Sequence, residues 1–161
     1  MKYNRLISVF LSLLMLLSLS ACKSYADDID TDNLATVGLN ALVDGIDYAE
    51  ADDGFLDDYF IAPAWVTDYE IYLAPTASNI NQVGVYHVQD GHAEELETIL
   101  SDYLKKSYED NGNWYNSYIP KETPKLRDAE VKVFGNYVVY AILNQTDREV
   151  FFGAVEEALT R

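Results

Sequence analysis

A short apolar run at the start of the chain sets the first limit on what can fold. The residues from Leu6 to Ala21 are uncharged and rich in leucine, and two basic residues, Lys2 and Arg5, precede them. At 16 residues the run is shorter than the roughly 20 needed to span a bilayer as a helix. A basic start followed by such a run is typical of a signal peptide. We therefore expect residues 1–21 to be removed, and the mature chain to fold outside the cytoplasm.

The residues at the expected cleavage point have the pattern of a lipobox. Leu19, Ser20 and Ala21 precede Cys22, which is the only cysteine in the chain. Small residues suit the pocket of a signal peptidase, and the cysteine thiol can take a diacylglycerol. The site resembles the bacterial lipoprotein pattern at all four positions. The sequence thus predicts acylation at Cys22 and attachment to the extracytoplasmic face of the cell membrane; the alternative is an ordinary signal peptide with a chance cysteine.

The mature chain is strongly acidic. Removing residues 1–21 takes away two bases and leaves nine Lys and Arg against 27 Asp and Glu, a formal charge of −18. Such a charge repels nucleic acid and anionic lipid headgroups, so we expect no nucleic-acid partner and an attachment that depends on the lipid. Because Cys22 is used by the anchor, no disulfide can form, and stability must come from a packed core, as one domain of this size allows.

The segment that follows the anchor is short and acidic. We expect residues 22–32 to form a lipidated N-terminus and a solvated tether whose last Asp caps a helix from Asn33 to Val43. The spacing from Asp28 resembles the start of an EF-hand loop. Asn33 stands where that loop needs glycine, and Leu39 where it needs a bidentate acid, which argues against such a loop.

A stretch from Asp44 to Asp58 carries seven acidic residues and no basic one. Its second half is expected to form a short helix with apolar core contacts. The acids indicate a solvated face, and the alternative is a site for a cation such as calcium.

Strand and helix patterns alternate in the rest of the chain. Strands of β-branched and aromatic residues are predicted at Thr67–Leu73 and Gln82–Gln89, which form a hairpin. An amphipathic helix is predicted from His92 to Tyr108, and a polar connection from Glu109 to Asp128.

A second hairpin is predicted at Glu130–Phe134 and Tyr137–Leu143. Its two-residue loop is Gly135-Asn136, and a leading glycine suits a type II′ turn. The final helix opens on Thr146-Asp147-Arg148-Glu149, which has the form of a capping box. Together these elements predict one α+β domain over residues 33–161, with two layers: a four-stranded, mainly antiparallel sheet of two hairpins and helices packed on one face.

The mature chain resembles a family of small bacterial lipoproteins catalogued only as a domain of unknown function, DUF4358. The resemblance covers about Leu34 to Leu159, and the elements that carry it are the early acid-rich helix, the strand Asp68–Leu73, the strand Gly84–Val88, Tyr118-Ile119-Pro120 and the segment Phe134–Val139. It implies this order of elements and the lipoprotein address, but no mechanism.

Few residues suit catalysis. The two histidines, His87 and His92, lie five residues apart across an element boundary and lack the spacing of a helical zinc pair. The sequence contains no nucleophile elbow, P-loop or dinucleotide fingerprint, and its one thiol is used by the lipid. The number of carboxylates would allow a glycosidase-like pair, but a domain this small offers little room for a substrate cleft. We expect a protein that is not an enzyme and that uses no cofactor and no metal.

The expected function is that of a non-catalytic module that binds an envelope protein or a small extracellular ligand. Trp114, Tyr115 and Tyr118, in the predicted connection, are the candidate contact residues. The alternative is that these rings cover a helix or the edge of the sheet. Two alternative hypotheses are a calcium-binding lipoprotein and a solute-binding lipoprotein. The second usually has two lobes, which a chain of this length does not provide. The oligomeric state is not predicted.

Overall fold

In the part of the chain that the structure describes, the fold is α+β, with four helices and a five-stranded open sheet. The structure, a computed structural model, describes residues 24–52 and 62–160. The predicted signal peptide, with Leu19, Ser20 and Ala21, and the predicted lipid site Cys22 lie outside the described residues. In chain order the elements are α1 (Thr31–Asn40), β1 (Ala49–Glu50), β2 (Val66–Leu73), β3 (Gln82–Val88), α2 (Ala93–Tyr118), α3 (Thr123–Arg127), β4 (Glu130–Phe134), β5 (Tyr137–Ile142) and α4 (Gln145–Leu159).

All neighbouring strands of the sheet are antiparallel, in the order β1-β2-β3-β5-β4. Both predicted hairpins, β2–β3 and β4–β5, are confirmed, and β3 and β5 join them at the centre. The predicted number of four strands is wrong, because Ala49 and Glu50 add a fifth strand at the edge beside Leu73 and Tyr72. Two residues are too few to give a strand period in the sequence.

Helices cover both faces of the sheet, so the predicted two-layer arrangement with helices on one face is wrong. Val83 and Val85 of β3 pack in one apolar cluster with α1 and α4. Tyr86 and Val88, on the opposite face, pack in a second cluster with α2 and α3. Every residue of β5 is buried. A strand without polar alternation is typical of a sheet covered on both sides, and the continuous apolar run of β5 is the sequence signal for the third layer.

The β4–β5 turn matches its prediction. Phe134 pairs with Tyr137 across a two-residue loop. Gly135 has φ +64°, and no described residue other than glycine has a positive φ. A positive φ at the first central position alone is the requirement of a type II′ turn and distinguishes it from type I′.

Two helix caps differ from those predicted. The side chain of Asp30 accepts hydrogen bonds from the backbone N–H groups of Asp32 and Asn33, so α1 begins two residues before the predicted Asn33. Asn144, one residue before α4, accepts from the N–H of Asp147, and the predicted capping box at Thr146 does not form the cap. In both helices an Asp or Asn side chain that lies earlier in the chain than predicted forms the N-terminal cap.

The N-terminal segment is packed on the domain, although we expected a solvated tether. The backbone N–H of Ala26 donates to the carbonyl of Leu159 at 2.8 Å, and Tyr25 pairs with Thr160. The Tyr25 ring lies edge-on to Phe134, with centroids 5.7 Å apart. The acidic side chains of the segment do face solvent. The ordered domain therefore begins several residues before the predicted boundary at residue 33.

The long helix α2 runs ten residues past its predicted end at Tyr108. Most of the predicted connection from Glu109 to Asp128 is helical, as the second half of α2 and as α3. The apolar stripe of α2 continues through Tyr108 and Tyr115, which pack on the second cluster. Among the residues that the structure describes, no helix is both long enough and apolar enough to cross a membrane.

Candidate functional site

The three aromatic side chains predicted as contact residues form one cluster on the last two turns of α2. The ring of Trp114 lies 5.3 Å from that of Tyr115 and 5.0 Å from that of Tyr118, between centroids. Trp114 is 53% exposed and Tyr118 is 70% exposed. Tyr115 packs on the core cluster beneath it. The alternative that the rings cover the body of the domain therefore holds for Tyr115 and not for Trp114 or Tyr118.

An open groove of about 410 Å³ lies beside this aromatic cluster. Trp114 and Tyr115 form one wall, and residues 73–77 and 79–82, around the β2–β3 turn, form the other. None of these residues is charged, in a chain where 24% of residues are. The groove thus offers aromatic, aliphatic and amide surfaces to a ligand without a fixed charge of its own.

A polar network holds the β2–β3 turn against α3. The Lys125 ammonium donates to Asn81 Oδ1 and to Glu122 Oε2, each at 2.7 Å. The backbone N–H of Ile80 donates to the same Glu122 carboxylate oxygen at 3.1 Å. The side chains of Lys125 and Glu122 are only 15% and 14% exposed, so the charged groups need each other and the turn residues as partners. This wall of the groove is therefore preorganised.

The network continues into the first half of the predicted acid-rich stretch. Asn81 Nδ2 donates to the Tyr48 hydroxyl at 2.8 Å, and that hydroxyl donates to Asp44 Oδ2 at 2.7 Å. Burial and the Asp44 carboxylate raise the pKa of Tyr48 well above its usual range. Asp44 also accepts from the N–H of Ile46. Its carboxylate therefore fixes local structure.

A second group of acids crowds the N-terminus of α1. Desolvation, followed by the nearby charges of Glu50, Asp32 and Asp68, raises the pKa of Glu70 on β2 to about 6. Within residues 24–52 and 62–160, no three His, Cys, Asp or Glu side chains form a group that could hold a metal ion. The segment of the predicted short helix, with Asp53, Asp57 and Asp58, lies outside the described residues, whereas Asp52 is described and exposed.

Both histidines have partners that account for their positions. His87 contacts Asp27 Oδ1 through Nε2 at 2.9 Å and Thr67 Oγ1 through Nδ1 at 2.6 Å. His92 stacks on Trp65 with centroids 4.7 Å apart, and its Nδ1 lies 3.1 Å from Glu95 Oε2. The His87 contact also fastens the N-terminal segment to the end of β3.

The groove and the N-terminal segment lie at opposite ends of the sheet. Strand β3 begins at Gln82, in the groove wall, and ends beside His87, which contacts Asp27 of the N-terminal segment. The seven residues of this strand span six intervals of about 3.4 Å, which separate the two ends by roughly 20 Å. The exposed aromatic cluster therefore lies far from the point where the chain enters the domain.

The aromatic side chains of this site are evident in the sequence, and the wall that faces them is not. The sequence marks the β2–β3 turn only as a connection between two strands, and its contact with α2 depends on the helix being ten residues longer than predicted. The signal for that length was the spacing of Leu104, Tyr108 and Tyr115, which continues the apolar stripe of the helix.

The fold and this surface define a small α+β domain with an exposed aromatic groove at one end of its sheet. The family model described as Domain of unknown function (DUF4358) matches residues 47–143. This span is more than half of the chain, and the chain therefore belongs to that family, as its resemblance indicated. Searches of curated proteins and of solved structures found no match for the chain. The family description assigns no activity, so function has to be argued from the residues.

Proposed function

We propose that this protein is a lipid-anchored, extracytoplasmic binding module without catalytic activity. Its lipid would be carried by Cys22 after removal of residues 1–21, as the N-terminal pattern indicates. Its contact surface would be the groove between the β2–β3 turn and the end of α2. The partner would be another envelope protein or a small extracellular ligand.

One observation carries the binding role: Trp114 and Tyr118 remain largely exposed beside a preorganised groove. Large aromatic side chains supply much of the energy at contact surfaces, because they bury a large apolar area at a low cost in conformational entropy. Both rings lie on a regular helix next to a turn fixed by Lys125 and Glu122. A partner would therefore meet a surface that needs little ordering on binding.

The position of the groove supports the proposal. A lipid on Cys22 would hold the N-terminal end of the domain at the bilayer, because Tyr25, three residues on, is already packed on the domain. The groove would then face away from the membrane. The partners of His87 and His92 support a structural role for both histidines and so a function without catalysis.

The anchor is tested by metabolic labelling with a fatty-acid analogue. We expect the wild-type protein to be labelled, and Cys22→Ala to lose the label and to accumulate as an unprocessed or released form. No other thiol in the chain can take the lipid. Persistent labelling of Cys22→Ala would disprove the lipoprotein assignment.

The contact surface is tested in cells with a photo-crosslinking amino acid at single positions. We expect a discrete adduct from position 114 or 118 and none from position 150, where Val150 is a comparably exposed apolar residue on α4. Position 115 is left unchanged in this test, because the Tyr115 ring packs on the core and its replacement would disturb the fold. Equal adducts from all three positions, or none from 114 and 118, would count against the groove as the contact surface.

The alternative is an acidic protein that binds calcium through residues 44–58. Desolvation, and then the nearby charges of Glu50 from this stretch and of Asp32 and Asp68, raise the pKa of Glu70, and such a group of negative charges supports the alternative. Asp44, by contrast, already accepts a hydrogen bond from the Tyr48 hydroxyl. Melting at matched ionic strength in sodium, magnesium and calcium chlorides separates the two. If calcium alone raises the melting temperature and Asp52→Asn with Asp53→Asn abolishes the rise, the calcium hypothesis replaces the binding-module proposal.

A further inference from the structure

A separate polar pocket of about 280 Å³ lies between α2 and α3, on the other flank of α2 from the aromatic cluster. Tyr108, Glu109, Gly112, Asn113 and Asn116 line it from α2, and Thr123 and Arg127 line it from α3. The volume falls just below the roughly 300–1,000 Å³ of sites for drug-sized ligands. It suits a molecule of the size of a single sugar.

The pocket gathers hydrogen-bonding groups that have no partner within the described part of the chain. The Thr123 side-chain oxygen is buried there without a hydrogen bond, in a residue that is only 8% exposed. The side-chain amides of Asn113 and Asn116 are exposed and likewise uncommitted. A buried hydroxyl without a partner is destabilising. Rotation between staggered χ1 positions changes where it points, so a ligand could draw it into a hydrogen bond.

Gly112 makes room for the Tyr108 ring at the edge of the pocket. A Cβ atom at this position would lie 2.9 Å from Cε2 of Tyr108, too close for an undisturbed ring. Glycine in the middle of a helix is unfavourable relative to alanine, yet α2 has one at the floor of this pocket. The ring of Tyr108 can therefore lie along the helix and present an apolar surface beside the amides.

The charges around the pocket cancel locally. Arg127 is bound to the carboxylate of the adjacent Asp128 through two hydrogen bonds, at 2.7 and 2.6 Å. Glu109 lies 4.0 Å from the ammonium of Lys105. Both charged residues that line the pocket, Arg127 and Glu109, therefore have an oppositely charged neighbour, which favours a neutral ligand over an ion.

We propose that this pocket binds a neutral, polyhydroxylated ligand of monosaccharide size. The amides of Asn113 and Asn116 and the hydroxyl of Thr123 would bond its hydroxyl groups, and the Tyr108 ring would pack on its apolar face. This inference does not depend on the aromatic groove, which lies on the opposite flank of the helix.

The test uses ligand-observed NMR on a soluble form of the chain without Cys22, residues 23–161, with glucose and N-acetylglucosamine at millimolar concentration as probes. Glucuronate and glucosamine serve as charged counterparts. We expect saturation transfer to at least one neutral sugar and weaker transfer to both charged ones. Asn113→Ala combined with Asn116→Ala should lower the affinity by about tenfold or more, as expected for the loss of two hydrogen bonds.

The matched control is Asn111→Ala, which removes an exposed amide from the same helix outside the pocket, where Asn111 bonds the carbonyl of Ser107. It should leave sugar binding unchanged, and Trp114→Ala should do the same, which separates this site from the proposed contact surface. The absence of transfer to either neutral sugar, or full binding by the Asn113 and Asn116 double variant, would overturn the proposal.

The melting temperature of Thr123→Val gives an independent readout that needs no ligand. If the hydroxyl is unsatisfied, the isosteric valine should leave the melting temperature unchanged or raise it, while sugar binding falls. A lower melting temperature would mean that the hydroxyl is already satisfied in the free protein, and the inference would fail on that ground.

Discussion

Replacing Glu70 with glutamine should stabilise the protein near neutral pH and have no such effect in acid. Glutamine has the shape of a protonated glutamate and removes one charge from the crowded acids at the N-terminus of α1. The pKa of Glu70 is raised from 4.5 to about 6, by desolvation and by Glu50, Asp32 and Asp68. A carboxyl whose pKa is higher in the folded state stabilises the fold while it is protonated. That contribution is fully present below pH 4.5 and is lost as the pH rises through about 6.

The size of the effect follows from the same difference in pKa. At 1.36 kcal/mol per pKa unit, the rise from 4.5 to about 6 sets an upper limit of about 2 kcal/mol. Glu70 is only partly buried, so water and salt screen its neighbours, and we expect about 0.5–1 kcal/mol. For a domain of this size that corresponds to roughly 1–4 °C in melting temperature.

Thermal melting of wild type and Glu70→Gln, followed by circular dichroism at pH 7.5 and at pH 4, measures this directly. Glu97→Gln is the matched control, since it makes the same change in net charge on α2, which covers the opposite face of the sheet from Glu70. It should raise the melting temperature by less. A gain for Glu70→Gln that persists at pH 4, or no gain at pH 7.5, would refute the reasoning.

Three further predictions concern close packing, the turn and net charge. Gly84→Ala should lower the free energy of unfolding by about 1–3 kcal/mol, because its Cβ would overlap Cε1 of the buried Tyr140 ring. Gly153→Ala, which has nothing within 4 Å of the added Cβ, should be neutral or slightly stabilising. Equal melting temperatures of the two variants would contradict the packing argument. Gly135→Val should lower the free energy of unfolding by about 1–3 kcal/mol, since a β-branched residue resists the φ of +64° at this position. Asn136→Ala should lower it by less. Chemical denaturation measures both variants, and an unaffected Gly135 variant would be inconsistent with a type II′ turn. The melting temperature should rise between low salt and 0.15 M sodium chloride, where the Debye length is about 8 Å. The added salt screens the repulsion among the 27 acidic side chains. A fall in melting temperature with salt would reject this explanation.

The parts of the fold that the sequence predicted are those decided locally. Gly135 and Asn136 between two apolar strands specify a tight turn by themselves, and the pairing of β4 with β5 follows from it. The same is true of the β2–β3 hairpin. The edge strand at Ala49 and Glu50 depends on pairing with the free edge of β2. A stretch of two residues is too short for its sequence pattern to predict that pairing.

The parts that were missed depend on contacts distant in sequence. Asn111, Gly112 and Asn113 read as a loop because each is a poor helix former, yet packing of Tyr108 and Tyr115 on the sheet carries α2 through them. Tyr25 stands in an acidic, polar segment, and the groups that it contacts, among them Phe134, Glu156 and Thr160, all lie far from it in the sequence. The candidate site shares this limit: the aromatic rings were visible in the sequence, and the turn that faces them was not.

The pairing of Tyr25 with Thr160 brings the two ends of the described chain side by side, which makes the fold suitable for circular permutation. Joining these ends and opening the chain in the β2–β3 turn, between Pro75 and Thr76, would keep every strand while moving the new N-terminus to the opposite end of the sheet. A lipobox placed there would turn the aromatic cluster toward the bilayer. Because the cut lies in one wall of the groove, the informative outcome is retention: a folded, lipidated permutant that keeps the crosslinks of the wild type would show that the function does not depend on the direction in which the groove faces.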